Sequence, residues 1–172
     1  MSGKYTVFET AWGYFALATT DGRLARAVLP CRTRAAAVEL IRAHLPAAGF
    51  EAGLLSDVQV EIAAYFDGRG ADFAAAPPLA LDGLTAFGRR VLTLCSGIRP
   101  GHTSTYGDLA GRAGRGGAAR AVGNALARNP IPLIIPCHRV VTAAGGFGGF
   151  SAPGGTCLKK RLLEHERRFK PR

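Results

Sequence analysis

The residues best equipped for chemistry in this 172-residue chain stand side by side. Cys137, His138 and Arg139 lie within Ile134-Ile135-Pro136-Cys137-His138-Arg139-Val140-Val141. A thiol beside an imidazole and a guanidinium has the makings of an activated nucleophile: cationic neighbours favour the thiolate, and an imidazole can take its proton. A cysteine inside an apolar run is more often an inert core residue, so the triplet alone leaves both roles open. Its β-branched flanks belong in a core, which puts the triplet at the lip of a cavity. Pro130, Pro132 and Pro136 fix their own backbone and restrict the residues before them, so a stiff extended segment is expected here, not a helix. A carboxylate is available at Glu166, on or beside the apolar face that Leu158, Leu162 and Leu163 give a final helix expected from Cys157 to about Phe169. His138 is the natural partner for it. Lys159, Lys160 and Arg161 are expected towards solvent, Glu164 is expected to be solvated, and Cys157 to be structural.

The elements around these residues can be read in chain order. Tyr5 to Thr10 alternates. Tyr14–Thr19 and Leu24–Leu29 flank Asp21-Gly22, a strong hairpin signal, so a small antiparallel sheet is expected. Thr33 can cap a helix to about Leu45, ended by Pro46. A second helix is expected from Ser56, with Gln59 completing a capping box and Val58, Ile62, Tyr65 and Phe66 on one face. A short strand at Leu79–Leu81 returns to the sheet. These features predict an α/β (α+β) N-terminal domain over residues 1–83, with a supporting role.

Residues 84–172 read as a mainly α domain. Thr85 begins a helix whose Phe87, Val91, Leu94 and Cys95 share a face, which makes Cys95 a core residue. Thr105 or Ser104 caps a short helix ending by Gly114, and a second helix follows from Ala118 to about Arg128. Two short helices around the turn Arg115-Gly116-Gly117 form a helix-turn-helix pattern. Apart from Arg120, the second helix carries small residues near its start, which suits close approach to a shallow or narrow groove. An alanine-rich packing helix is the alternative. The glycine-rich stretch Gly145–Gly155 permits close approach to a ligand, with Phe150 as an apolar wall and Ser151 as a donor; composition alone does not separate this from an ordinary loop.

The formal charge of +10 is unevenly placed. Residues 1–84 hold 7 Lys/Arg and 9 Asp/Glu, a net of −2, whereas residues 85–172 hold 15 and 3, a net of +12. That asymmetry points to a polyanion bound by the second half. Nucleic acid is favoured over a membrane surface, because no basic amphipathic helix with a bulky apolar face is present. No run approaches the length of a membrane span, and Met1-Ser2-Gly3-Lys4-Tyr5 lacks a leader pattern. The four cysteines (Cys31, Cys95, Cys137, Cys157) show neither disulfide nor metal spacing. A reducing, cytoplasmic setting is expected, with no metal and no cofactor.

Taken together, the second half resembles the methylated-DNA–protein-cysteine methyltransferase family, the O6-alkylguanine-DNA alkyltransferases. The resemblance runs from about Phe87 to Glu166. It rests on Thr105-Tyr106-Gly107-Asp108-Leu109-Ala110, Ala119-Arg120-Ala121-Val122-Gly123, Asn129-Pro130-Ile131-Pro132, Pro136-Cys137-His138-Arg139-Val140 and Leu162-Leu163-Glu164-His165-Glu166. It implies a monomer that acts on double-stranded DNA containing O6-alkylguanine, with O4-alkylthymine as a further candidate lesion. Cys137 would accept the alkyl group irreversibly, with His138 as base through a water and Glu166 orienting it. Tyr106 would serve a guanine ring nitrogen, and Asn129 would hold the loop that bears the nucleophile. Arg120 would fill the stack vacated by a flipped base, with Ala119, Thr105, Tyr106, Gly123 and Arg128 also on the DNA. Pro132, Val140, Gly148, Phe150 and Ser151 would form the base pocket, with Ser151 meeting O6.

The chain departs from the commonest family pattern in having Phe150 for a tyrosine and Ala152-Pro153 as extra residues. Two other classes fit parts of the chain. A non-catalytic lesion sensor would not need Cys137, and a Cys-His-Glu hydrolase would need an oxyanion hole and leaves the basic half unexplained.

Overall fold

In the computed structural model, which describes residues 3–169, Asp21 and Gly22 both take positive φ, 50° and 74°. That is the pattern of a tight hairpin turn whose twist suits the flanking strands. It joins β2 (Gly13–Thr20) to β3 (Arg23–Cys31), and β1 (Gly3–Thr10) pairs antiparallel with β2 on the other side. Met1, Ser2 and residues 170–172 lie outside the described residues, and with them the first two residues of the N-terminal stretch expected to lack a leader pattern.

The expected all-antiparallel sheet is corrected by a fourth strand. After α1 (Arg34–His44) the chain returns as β4 (Gly49–Phe50), parallel to β1, giving the order β3-β2-β1-β4. Because the chain comes back through a helix and not through a hairpin, this edge can run parallel. Thr33 caps α1 as expected, its hydroxyl accepting from the Ala36 amide. Alternation along β2 serves two layers. Ala16 and Ala18 join Tyr5, Val7, Val28, Ala37 and Ile41 in one cluster, while Phe15, at an alternate position, meets Phe66 of α2 (Ser56–Phe66) at 6.1 Å between centroids.

The capping box on α2 does not form. Leu55 stands at the N-cap with φ 56°, and Gln59 instead donates to the carbonyls of Ala52 and Leu54, both at 2.8 Å, tying down the preceding turn. The strand expected at Leu79–Leu81 shrinks to a single bridge from Leu79 to Leu24. Pro77 and Pro78 have no amide to extend the ladder.

The chain divides into two compact units between Leu81 and Asp82, two residues before the expected boundary. In the second unit α3 (Ala86–Ser96) is capped by Thr85 and buries Gly88, Val91, Leu92 and Cys95. Phe87 and Leu94 sit at the margin of that face and not at its centre, and the Arg115 guanidinium covers the Phe87 ring at 5.1 Å. β5 (Ser104–Thr105) leads directly into α4 (Tyr106–Arg112), where Thr105 and Asp108 form a complete capping box. α5 (Ala119–Ala127) follows the glycine turn. β6 (Val140–Val141) pairs in parallel with β5, so the start of α4 is fixed beside the segment that follows Cys137. α6 (Gly155–Glu166) begins two residues earlier than expected and ends at Glu166.

Candidate active site

The Cys-His-Arg strip is not extended. Cys137–Arg139 forms one turn of 3-10 helix, closed by the Arg139 amide donating to the Pro136 carbonyl at 2.8 Å. Proline restricts its own φ but leaves its carbonyl free to accept, so the prolines stiffen this segment without straightening it. Leu133 upstream takes φ 78°, and the Ile135 amide reaches the Ile131 carbonyl at 2.9 Å. Asn129 staples this loop. Its Nδ2 donates to the Ile135 carbonyl at 2.8 Å, and its Oδ1 accepts from the Ile131 amide at 3.0 Å.

Behind the thiol lies a buried charge network. Glu166 on α6 is 1 % exposed and His138 likewise 1 %. His138 Nε2 and Glu166 Oε1 are 2.7 Å apart, Arg139 reaches both carboxylate oxygens through Nε (2.9 and 3.1 Å) and Oε1 through Nη2 (2.8 Å), and the Gly101 amide donates at 3.1 Å. Burial pushes the Glu166 carboxyl up, but hydrogen bonds from His138 and Arg139 and the Arg139 charge outweigh it and hold the group well below the carboxylate range. An ionised carboxylate only accepts, so Nε2 carries the proton. Burial also pulls the His138 imidazole down, against the pull of Glu166 upward, so it rests neutral. Nδ1 is then the basic nitrogen of the ring.

The thiol itself differs from expectation. Burial pushes Cys137 up, and this outweighs the hydrogen bond from Asn129, the Lys159 charge and the backbone amides of Cys137 and His138, all of which pull it down. The one cation among these, Lys159, moderates the shift without reversing it, and the adjacent guanidinium and imidazole expected to activate the thiol are not among the causes. Cys137 therefore rests as a thiol, which a base must deprotonate before it can act as a nucleophile.

A cavity of about 800 Å³ opens over Cys137. Tyr106, Ala119, Arg120 and Gly123 line one side, and Gly148, Phe150 and Ser151 the other. Of the expected pocket residues, Val140 is fully buried and Pro132 half-buried, and neither lies on the wall. Thr105 and Arg128 also lie off the wall: Thr105 caps α4, and Arg128 is exposed at the end of α5. The Ser151 hydroxyl donates to the Ala127 carbonyl at 3.1 Å. Ala152 and Pro153 fall outside the cavity lining, in a turn closed by the Gly155 amide donating to the Ala152 carbonyl at 2.9 Å. Gly148, at φ 65°, lies so close to Tyr106 that a Cβ there would fall 2.6 Å from the phenol oxygen.

Lys159, expected towards solvent, is instead buried beside this site. Lys159 is 0 % exposed, and its Nζ donates to the Val140 carbonyl at 2.6 Å and the Tyr106 hydroxyl at 3.3 Å. The spacing does contain the signal. Positions 159, 162, 163 and 166 form one helical stripe, so the residue that shares a face with Leu162, Leu163 and Glu166 is Lys159, with Leu158 at its edge.

Residues 86–168 match the family model described as "6-O-methylguanine DNA methyltransferase, DNA binding domain". A methylated-DNA–protein-cysteine methyltransferase of Methanothermobacter thermautotrophicus is 48 % identical over 102 residues, which span 59 % of this chain and 55 % of that relative. The O6-methylguanine methyltransferase of Mycobacterium tuberculosis superposes with a TM-score of 0.80 at 34 % identity, covering 98 % of this chain and 95 % of the other. A structure of the M. tuberculosis protein in complex with DNA superposes with a TM-score of 0.78 at 34 % identity, covering 96 % and 94 %. With a thiol backed by a His–Glu pair at the base of a cavity and a match over nearly the whole chain, this protein belongs to the methylated-DNA–protein-cysteine methyltransferases, the DNA-repair alkyltransferases of O6-methylguanine.

Proposed function

We propose that this chain repairs O6-alkylguanine in duplex DNA by moving the alkyl group irreversibly to Cys137, once per molecule, working as a monomer. The observation that carries the reading is the placement of the Cys137 thiol in the wall of a cavity large enough to admit a nucleobase, with the neutral, Glu166-anchored His138 next to it in the chain. The segment from Asp82 onward is the DNA-binding and acceptor domain, and the first unit supports it. α4 and α5 act as a helix-turn-helix whose small-residue second helix enters the minor groove, and the basic second half supplies phosphate contacts.

A lesion inside the stack cannot reach a buried thiol, so the base rotates out and Arg120 takes its place. His138 Nδ1 takes the Cys137 proton through a water, and Glu166 stabilises the imidazolium. The thiolate attacks the alkyl carbon in line: the S–C bond forms, the C–O6 bond breaks and its electron pair stays on guanine. The Tyr106 hydroxyl donates to a guanine ring nitrogen as that charge develops. Because the Ser151 hydroxyl is turned to Ala127, the Ser151 backbone N–H is the group that meets O6. An O4-alkylthymine would use the same displacement.

The test is transfer from duplex DNA carrying labelled O6-methylguanine, followed by peptide mapping. Label on the peptide containing Cys137 supports the reading. Tight binding without transfer would mark a lesion sensor, and release of label with an unmodified protein would mark a hydrolase; either overturns it.

Two further outcomes follow. Arg120→Ala should slow repair in duplex DNA roughly a hundredfold, from the few kcal/mol that extrusion of a base demands, and should leave reaction with the free alkylated base nearly unchanged. Gly148→Ala should slow transfer on both substrates alike, roughly tenfold, since about 1–3 kcal/mol of strain or a displaced Tyr106 ring follows the added methyl. Single-turnover rates on the two substrates separate these patterns.

A further inference from the structure

Lys159 presents a charge where chains rarely keep one. Fully buried ammonium groups are uncommon unless paired, and Lys159 is held by uncharged groups: its Nζ meets the Val140 carbonyl at 2.6 Å, the Tyr106 hydroxyl at 3.3 Å and the Gly149 carbonyl at 3.5 Å. Its charge lies 5.6 Å from the centre of the Tyr106 ring. The Tyr106 hydroxyl also donates to the Gly149 carbonyl at 3.5 Å, so Lys159, Tyr106 and the Gly148-Gly149 wall are one connected group. Val140 directly follows the Cys137–Arg139 turn. One ammonium thus joins α6, the nucleophile's turn, the α4 tyrosine and the pocket wall.

We propose that Lys159 is a positioning residue of the transfer site, whose cation holds Tyr106 against the pocket wall and at the same time supplies the positive charge towards which the Cys137 thiolate develops. The inference rests on the reading of Cys137 as the acceptor. It explains why a lysine occupies a core position of α6: dispersing its charge over carbonyls leaves it cationic and available to a transient anion nearby. The Lys159 ammonium is pulled down by burial and pulled back up by Cys137 and Cys95, so charge on the thiol and charge on the lysine favour each other. The other groups that face the thiol are Asn129, His138, Tyr106 on α4 and Cys95 on α3, with Arg139 behind them.

The test needs no DNA, so it stands apart from the transfer assay. The rate of Cys137 alkylation by iodoacetamide is followed against pH on the peptide containing Cys137, in wild type, Lys159→Gln and Lys159→Met. Glutamine keeps a donor for the carbonyls and removes the charge. Both variants are expected to move the midpoint up by about one pH unit, a roughly tenfold slower reaction at a fixed pH below it. A Lys159→Gln profile that overlays wild type overturns the proposal, whatever the transfer assay gives. Should neither variant fold, wild-type protein carrying isotope-labelled lysine decides. Lys159 is the buried ammonium among the described lysines, and its NMR signal is expected to shift at the Cys137 midpoint. No inflection there contradicts the coupling.

Discussion

Cys137→Ser is expected to bind duplex DNA carrying O6-methylguanine as tightly as wild type and to transfer nothing. The substitution changes one atom at the base of the cavity, where the side chain is 7 % exposed. Arg120, Tyr106 and the cavity wall, proposed above to meet the DNA, are untouched. What disappears is the nucleophile: a thiol can be deprotonated by a neutral imidazole and is soft towards an alkyl carbon, and a hydroxyl at the same place is neither. Affinity by gel shift and transfer by label counting separate the two properties. Loss of binding along with transfer would mean that the thiol holds the local fold and is not the acceptor.

Glu166→Gln is expected to lower both stability and activity. The carboxylate is shared among His138, Arg139 and the Gly101 amide, all at 3.1 Å or less. An amide in its place removes the charge and turns donors towards donors, stranding the buried Arg139 guanidinium. Breaking a buried ion pair from one side costs about 3–5 kcal/mol, visible in a urea midpoint. The loss should depend on pH. The Glu166 carboxyl lies below its ordinary range in the folded state, so its stabilisation is complete above the unfolded value near about 4.3 and fades as pH falls towards the folded value. Wild type and variant should therefore converge in acid. His138 acts in the same direction: its imidazole is depressed by burial, so the native state resists a proton that the unfolded chain accepts, and stability falls as pH drops through about 6.5. Transfer should slow as well, because in the proposed proton transfer the His138 imidazolium would lose its counter-charge. A gap between the two proteins that stays constant down to pH 3, roughly a unit below the unfolded value, would contradict this account of Glu166.

Much of the site is legible in the sequence because it is written in local patterns. Cys137, His138 and Arg139 are adjacent, Thr105 and Asp108 spell a capping box, and Glu166 shares a helical stripe with two leucines. The Asp21-Gly22 hairpin is equally local. What escaped sequence reading depends on distant partners. Lys159 looks like one more surface cation until the Val140 carbonyl and the Tyr106 hydroxyl, 19 and 53 residues away, are brought to it. The turn at Cys137 is closed by carbonyls that the prolines leave free, and the resting thiol reflects a burial penalty that no adjacent residue reveals. The parallel edge of the sheet is decided by where α1 delivers the chain. Gln59 illustrates the reverse case, in which a pattern was present but a nearer pair of carbonyls claimed the side chain.

The central claim is that Cys137 is an acceptor used once. It is tested most directly by titrating a fixed amount of protein with excess O6-methylguanine duplex and counting methyl groups lost from the DNA against the intact mass of the protein. The account predicts a plateau at one methyl per chain, with every molecule carrying a single methyl on Cys137. Loss of methyl groups beyond one equivalent, or loss from the DNA with Cys137 still a free thiol, would contradict it.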